Sequence, residues 1–272
     1  MYKNKFKKPV RSLIRQPIVI GALTAVITAA LWIGIWAFAA HRVGYDFILP
    51  SPVSVLKKLS EIVTEKGFFI TVIYSLLRVI GGFILGAAVG LIGAFLSFLL
   101  LPLKVFFSPM IKIVRATPVA SFILIAVLWI PSASVPVFIS FLMVFPIVYA
   151  NVLTGLENTD EKLTEMTKAY RFSIWKKIML LYVPSALPYF ASACMTSLGL
   201  AWKSSVAAEV LSVTKNSIGE KLYLSNLYLE SAELLAWTVT VILLSVGMEA
   251  LIKLIASMVK KYSRRRYERD KG

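Results

Sequence analysis

The sequence predicts an all-α, polytopic membrane protein with about six transmembrane helices. Of its 272 residues, 58% are hydrophobic, and the mean hydropathy is +0.78. That composition is typical of integral membrane proteins, in which a crossing takes about 20 apolar residues. Long stretches with little or no charge recur along the chain. We therefore expect a transmembrane domain at 18–258, between basic tails at 1–17 and 259–272.

The net charge of +16 is concentrated in a few segments. If the charged loop at 157–183 is cytoplasmic, the segments on its side carry 21 of the 30 Lys and Arg residues. These segments are 1–17, 101–115, 156–181 and 260–272. The positive-inside rule then predicts that both termini are cytoplasmic. The C-terminal tail is expected to touch anionic lipid, and this distribution argues against nucleic-acid binding.

The first half of the chain predicts two crossings. The first covers Ile18–Ala40, and Leu-Pro-Ser-Pro at 49–52 then leads into an amphipathic helix at 53–66. A long, tilted crossing follows at 68–103.

Within the second crossing, three glycines fall on one helical face, at Gly82, Gly86 and Gly90. Such a face allows helices to approach closely. Tight packing within the chain is favoured here over a dimer seam. Arg78 lies on the same face, where a charge needs water, a partner or a short reach to the surface. Both a structural pair and a place in the translocation path are open for it.

Two further crossings are expected in the uncharged run 116–156, after a basic turn around Lys104, Lys112 and Arg115. The segment 131–136, which begins and ends in proline, predicts the outer turn between them. Pro118 and Pro146 are expected to bend these helices.

The fifth crossing is expected from Pro184 to about Leu211 and contains Trp202, Lys203 and Glu209. Lys203 and Glu209 are six residues apart, on different helical faces, so they are poor partners for one another. A cavity or dimer-interface role and a structural pair are both open for Lys203. Glu209 is expected near the outer surface, exposed or touching an external partner.

An outer segment at 212–231, with a turn at Ile218-Gly219, leads to the last crossing at 234–258. In that crossing, Glu249 and Lys253 are expected to pair across one helical turn.

The run from Glu157 to Pro188 is a charged, amphipathic island between apolar stretches. Asn158 or Thr159 can cap a first short helix, and a second is expected from Ser173 until Pro184 breaks it. Two short helices at a membrane surface form either a lipid-facing platform or a docking surface for a soluble partner.

This island resembles the cytoplasmic loop of bacterial ABC importer permeases. That loop carries Glu-Ala-Ala, then a glycine, then a Leu-Pro or related pair. Here Glu165-Met166-Thr167 stands for Glu-Ala-Ala, Arg171 stands at the glycine position, and Val183-Pro184 and Leu187-Pro188 follow. If the glycine position needs a positive φ, Arg171 strains the backbone; otherwise the turn is ordinary. Trp175 is similar to an aromatic residue in the nitrate, sulfonate and taurine branch.

Further matches run in order along the chain. Arg115-Ala116-Thr117-Pro118 resembles the family's Arg-x-x-Pro, and Asn151 with Gly155 resembles Asn-x-x-x-Gly. The stretch that ends in Ala-Ala-Glu at Glu209 also resembles the family.

The resemblance implies the type I ABC importer fold in a bacterial inner membrane. It implies a second permease subunit, expected to be identical, a cytoplasmic ATPase dimer and an extracytoplasmic substrate-binding protein. The implied ATPase-docking residues are Leu163, Glu165, Met166, Ala169, Tyr170, Arg171, Trp175 and Met179. Candidates for the path or an interface are Arg78, Trp202, Lys203 and Glu209.

The sequence contains no Walker A loop, so we expect ATP to bind only to the partner, with no cofactor or metal in this chain. No catalytic Ser/His/Asp set is present, since His41 is the single histidine. The free Cys194 excludes an internal disulfide. Two other classes stay open, a secondary transporter or channel driven by an ion gradient and a membrane scaffold.

Overall fold

The computed structural model describes the backbone of residues 15–269 and the side chains of residues 23–254. Within these bounds, all regular structure is helical. Its helices are α1 (Arg15–Val43), α2 (Pro52–Thr64), α3 (Phe68–Leu99), α4 (Leu101–Ala116), α5 (Val119–Trp129), α6 (Val135–Glu157), α7 (Glu161–Ala169), α8 (Ile174–Lys177), α9 (Val183–Ser212), α10 (Ile218–Leu227) and α11 (Ser231–Arg269), with a π-helical segment at Ile178–Tyr182 between α8 and α9.

The centre of the fold is a tight contact between α3 and α6. A Cβ added at Gly82 would collide with the Val137 carbonyl oxygen; at Gly86 it would lie 2.8 Å from Val144 Cβ. Ser140, which is fully buried, donates from its hydroxyl to the Val79 carbonyl oxygen at 3.0 Å. The glycine face therefore serves packing within the chain, as the sequence favoured.

The contacts along this seam show that α3 and α6 run parallel. Gly82 meets Val137, and two turns later Gly90 meets Phe145 and Val148. Because the two helices cross in the same direction, the chain between them has to return across the membrane. The helices α4 and α5 make that return.

The return crossing is broken in the middle. The helices α4 and α5 meet at Thr117-Pro118 and are bent by 106°. Proline has no N–H and disfavours helical geometry in the residue before it, and the backbone of Thr117 is extended.

The predicted basic turn at 101–115 is wrong, since these residues form α4. Helix α5 has 11 residues and is too short to cross alone.

Helix α9 returns antiparallel to α6. Ser205 on α9 donates to the Pro136 carbonyl oxygen at the start of α6 (3.1 Å), and Tyr189 lies against Gly155 near its end. Helix α11 is antiparallel to α9, because Trp202 Nε1 donates to the Val241 carbonyl oxygen (3.1 Å) while Gly199 faces Glu249.

The predicted helix break at Pro184 is also wrong. The chain stays helical from Ile174 to Ser212, with a π turn just before the proline. There the Val183 N–H bonds to the Ile178 carbonyl oxygen, five residues back. The wider turn moves the chain away from the carbonyl that the Pro184 ring would otherwise meet, so the helix passes through it.

Two short helices lie on the side of the membrane opposite the loop. Helix α2 packs beside the start of α11, where Lys58 Nζ lies 3.1 Å from Glu233. The hydrogen bond with Glu233 raises the pKa of Lys58 above its usual value. Helix α10 begins at Ile218, so the turn predicted at Ile218-Gly219 is wrong and these residues open a helix.

Five helical stretches have the length and hydropathy of a membrane crossing, and the bent pair makes six within the described residues. The predicted all-α, six-crossing architecture is therefore confirmed. The predicted pair of Glu249 and Lys253 is confirmed as well, at 3.9 Å. By the order of the crossings, α1 begins and α11 ends on the side of the loop; the cytoplasmic location of that side remains a prediction.

Replacing Gly82 with alanine is expected to destabilise the protein strongly, because its methyl group would meet the backbone of α6. Overpacking of this kind costs about 1–3 kcal/mol or more. The matched control is Gly81→Ala, since a Cβ at Gly81 has no neighbour within 4 Å. Thermal unfolding of the detergent-purified protein measures the difference. Equal stability of the two variants would contradict the close approach of α3 and α6.

Candidate functional site

The loop between α6 and α9 forms a two-helix platform that projects from the transmembrane bundle. Asp160, rather than the predicted Asn158 or Thr159, caps α7 by accepting a hydrogen bond from the Lys162 N–H (2.9 Å). Ser173 caps α8 and accepts from the Lys176 N–H (3.4 Å), as the sequence predicted for the second helix. Thr167 is the one fully buried residue of α7.

A strained elbow joins the two platform helices at Arg171. Its φ is positive, in the left-handed region that favours glycine. The Phe172 N–H bonds to the Thr167 carbonyl oxygen (2.9 Å) and the Arg171 N–H to that of Lys168 (3.0 Å). This pair of hydrogen bonds closes the end of α7 in the manner of a Schellman motif. The sequence left either an ordinary turn or a strained positive φ open for Arg171, and the structure has the positive φ.

The outer face of the platform is apolar although it lies in a charged loop. All eight predicted docking residues are exposed. The largest among them are Tyr170 and Trp175, with 73% and 74% of their surface accessible. Ile174 belongs to the same face at 72%, and the sequence analysis missed it. Its place in the predicted second helix, directly after Ser173 and beside Trp175, was the available signal.

This apolar face consists of six exposed side chains, Leu163, Met166, Tyr170, Ile174, Trp175 and Met179. Such a concentration of exposed large apolar groups marks a site of contact with a protein or a membrane. Glu165 and Arg171, both exposed, supply charge at its edge.

On the opposite side of the protein, Glu209 lies at the centre of a buried polar network. The Ser75 hydroxyl donates to Glu209 Oε2 (2.8 Å), the Gly219 N–H donates to the same oxygen (3.2 Å), and Arg78 Nη1 lies 3.4 Å from Oε1. Arg78 Nη2 also donates to the Lys215 carbonyl oxygen at 3.0 Å. The network therefore joins α3, α9 and α10.

The exposure predicted for Glu209 is wrong, since its side chain is fully buried. The sequence placed it correctly near the outer end of α9, but α10 folds back over that end. Gly219 lets α10 come so close that any side chain there would collide with Glu209 Cβ. For Arg78, the structure has the pair with Glu209 that the sequence left as one alternative.

Trp202 and Lys203 are neighbours in sequence but lie in different surroundings. Trp202 is buried, 1% exposed, between α9 and α11. Lys203 is exposed and lines a cavity of about 400 Å³ together with Glu249 and Lys253. Among the described residues, no carboxylate forms an ion pair with the Lys203 amino group. Lys203 and Glu209 are not partners, as their spacing predicted.

The described residues form an all-helical bundle with six crossings, a broken third crossing and a two-helix loop with exposed apolar side chains, which is the architecture of a polytopic membrane protein. Residues 82–261 match the family model described as the binding-protein-dependent transport system inner membrane component. The chain belongs to this family, the permease subunits of ABC importers, and is a multi-pass inner-membrane protein.

Several named proteins are similar to this chain. One from Bacillus subtilis, named the aliphatic sulfonates transport permease protein SsuC, is 27% identical over 70% of each chain. The nitrate import permease protein NrtB of Synechocystis is 28% identical, covering 75% of this chain and 76% of its own length. The bicarbonate transport system permease protein CmpB of Synechococcus elongatus is 28% identical over 54% of this chain and 53% of its own.

A solved structure shares the fold. A chain in the crystal structure of an amino acid ABC transporter with histidines superposes with a TM-score of 0.56 at 14% identity. The match covers 77% of this chain and 97% of that one. The permease fold therefore extends over most of the chain.

Replacing Arg171 with glycine is expected to stabilise the protein relative to Arg171→Ala. Both variants lack the guanidinium, but only glycine adopts the positive φ of this position without a steric penalty. That penalty is about 1 kcal/mol for a residue with a side chain. Thermal unfolding of the two purified variants gives the comparison. A glycine variant that is no more stable than the alanine variant would mean that the elbow stores no strain.

Glu209→Gln is expected to destabilise the protein, because it leaves the guanidinium of Arg78 without its counter-ion. Breaking a buried pair in this way costs about 3 kcal/mol. Glutamine keeps an acceptor for Ser75 and Gly219, so the loss reports the charge. The double variant Arg78→Met with Glu209→Gln is expected to recover part of the stability, since no buried charge then stays unpaired. Additive losses in the double variant, measured by thermal unfolding, would contradict the pairing.

Proposed function

We propose that the apolar face of the loop is the surface on which an ATPase subunit docks. The observation that carries this proposal is the exposure of its six large apolar side chains on α7, α8 and the residues directly after them. A protein surface that buries Tyr170, Ile174 and Trp175 would remove them from water, and aromatic anchors of this kind dominate protein interfaces. Glu165 and Arg171 would fix the orientation of the partner at the edge.

The geometry supports a direct mechanical link from the platform to the membrane. Helix α8 continues through the π turn into α9, so a push on Trp175 is transmitted to a helix that packs against α6, α10 and α11. Closure of the ATPase pair on ATP would move the platform and open the path outward. Hydrolysis and reopening would return it. ATP is bound by the partner, and this chain contributes contacts only.

The assembly we propose contains two permease subunits of this chain, two ATPases on the loop side and a substrate-binding protein on the other side. This arrangement is typical of the family. With the loop in the cytoplasm, both termini are cytoplasmic, and α2 and α10 lie on the side that would receive the binding protein.

We propose a small oxyanion as the transported solute. The relatives described above are named for the transport of sulfonates, nitrate and bicarbonate, all of which are small anions with planar or tetrahedral oxygen groups. Specificity would be shared with the binding protein. Secondary transport driven by an ion gradient is not favoured, because the chain belongs to the family of ABC importer permeases.

Trp175→Ala is expected to weaken the affinity of the ATPase for the complex at least tenfold, since a central aromatic contact contributes about 2 kcal/mol or more. The measurement is co-purification of a Walker-motif ATPase with tagged protein from native membranes. Ile174→Ala and Glu165→Arg are expected to weaken it too. Trp129→Ala is the matched control, because Trp129 is also exposed, at 85%, but lies at the end of α5 away from the loop.

Two outcomes would contradict the proposal. One is an ATPase that stays bound to all three loop variants. The other is its absence from the wild-type complex, which would direct attention to uptake driven by ion gradients.

A further inference from the structure

A cation lies beside the middle of α6, at the break between α4 and α5. Arg115 Nη2 donates to the Pro146 carbonyl oxygen at 3.3 Å, and Pro146 is the twelfth of the 23 residues of α6. At the other end of the same contact, Lys104 pairs with Glu157, the last residue of α6. Helix α4 therefore runs along α6 from its loop-side end to its middle, and Arg115 lies at that point.

Arg115 is too deep to reach the lipid headgroups on the loop side. From Lys104 to Arg115 the helix rises about 16 Å, roughly half of a hydrocarbon core of about 30 Å. An unpaired charge at that depth is costly and marks a functional site when no partner neutralises it. Among the described residues, no carboxylate forms an ion pair with the guanidinium of Arg115.

Two other cations within the crossings, Arg78 and Lys203, have different surroundings. Arg78 is neutralised by Glu209 in the buried network. Lys203 shares its cavity with the carboxylate of Glu249. Arg115 differs from both, because its side chain is exposed and its hydrogen bond goes to a single backbone carbonyl.

Helix α4 presents a polar stripe that leads to Arg115. Lys104, Ser108, Lys112 and Arg115 follow at intervals of four, four and three residues, which places them on one helical face. The first three line a groove of about 530 Å³. The opposite face carries exposed apolar residues such as Phe106 and Ile113. Because a basic stripe facing lipid tails would be costly, it has to face water or polar groups in the assembled transporter.

We propose that the stripe Lys104, Ser108, Lys112 and Arg115 lines the path of the transported anion, and that Arg115 binds the anion at mid-membrane. This proposal rests on the proposed function, since it names a site for an oxyanion in the path. A guanidinium binds oxyanions through paired N–H groups and stays charged at any working pH. Lys112 lies one turn towards the loop side and would receive the anion next, while Lys104 is already paired with Glu157.

The test measures the electrostatic field beside Arg115 with thiol reagents. In a Cys194→Ala background, Ala116→Cys places a single thiol among the described residues next to Arg115, at a position that is exposed. Met110→Cys places it on the face of α4 opposite the stripe, where the side chain is 39% exposed. The probes are two membrane-impermeant methanethiosulfonates, one bearing a sulfonate and one a trimethylammonium group. The complex is labelled in open membrane fragments with and without ATP.

We expect the thiol at 116 to react in water and to prefer the anionic reagent. Arg115→Gln is expected to lower the ratio of anionic to cationic labelling by about tenfold, the size of a unit charge acting on both reagents at short range in a hydrated site. Arg115→Lys keeps the charge and is expected to keep the ratio. The thiol at 110 is expected to stay unreactive.

The proposal is overturned if the thiol at 116 is inert to both reagents with and without ATP, or if Arg115→Gln leaves the ratio unchanged. Co-purification and hydrolysis by the ATPase are measured on the same membranes. A complex that retains its ATPase but shows no anion preference refutes the path and leaves the docking proposal standing. Loss of the ATPase from the wild-type complex refutes the docking proposal instead.

Discussion

The parallel packing of α3 against α6 is the constraint on which the rest of the fold depends. Their backbones touch because Gly82, Gly86 and Gly90 present no side chains at the seam. In lipid there is no hydrophobic drive to bring helices together, so close van der Waals contact supplies the association. The parallel direction forces the intervening chain to cross once more, and Thr117-Pro118 breaks that crossing in the middle.

The platform and the buried polar network lie at opposite ends of this helical core. On the loop side, α8 continues into α9 through a π turn, and the platform with its apolar face becomes part of a crossing helix. On the other side, the buried carboxylate of Glu209 ties α3, α9 and α10 into one unit. Helix α9 takes part in both arrangements, so it connects the platform with α10.

Charges inside the membrane were the least predictable part of the site. The sequence identified Arg78, Lys203 and Glu209 as charges that need partners, and spacing excluded the pair of Lys203 with Glu209. Only the fold showed that Glu209 belongs to Arg78, which is 131 residues away. Arg115 was assigned to a basic turn at the surface because of the run of charges from Lys104 to Arg115. These residues instead form a helix, which places Arg115 beside the middle of α6.

By itself the sequence determined the number of crossings, the amphipathic loop and the glycine face, because each of these is a local pattern of hydropathy or spacing. The class of protein came from motifs that resemble those of ABC importer permeases. The sequence also marked eight of the residues on the platform, although Ile174 and the cap at Asp160 were missed. The tertiary structure alone decided which glycine neighbours which backbone, the burial of Glu209 beneath α10, and the contact of Arg115 with the middle of α6. Those properties depend on contacts between residues far apart in the chain, which no local pattern encodes.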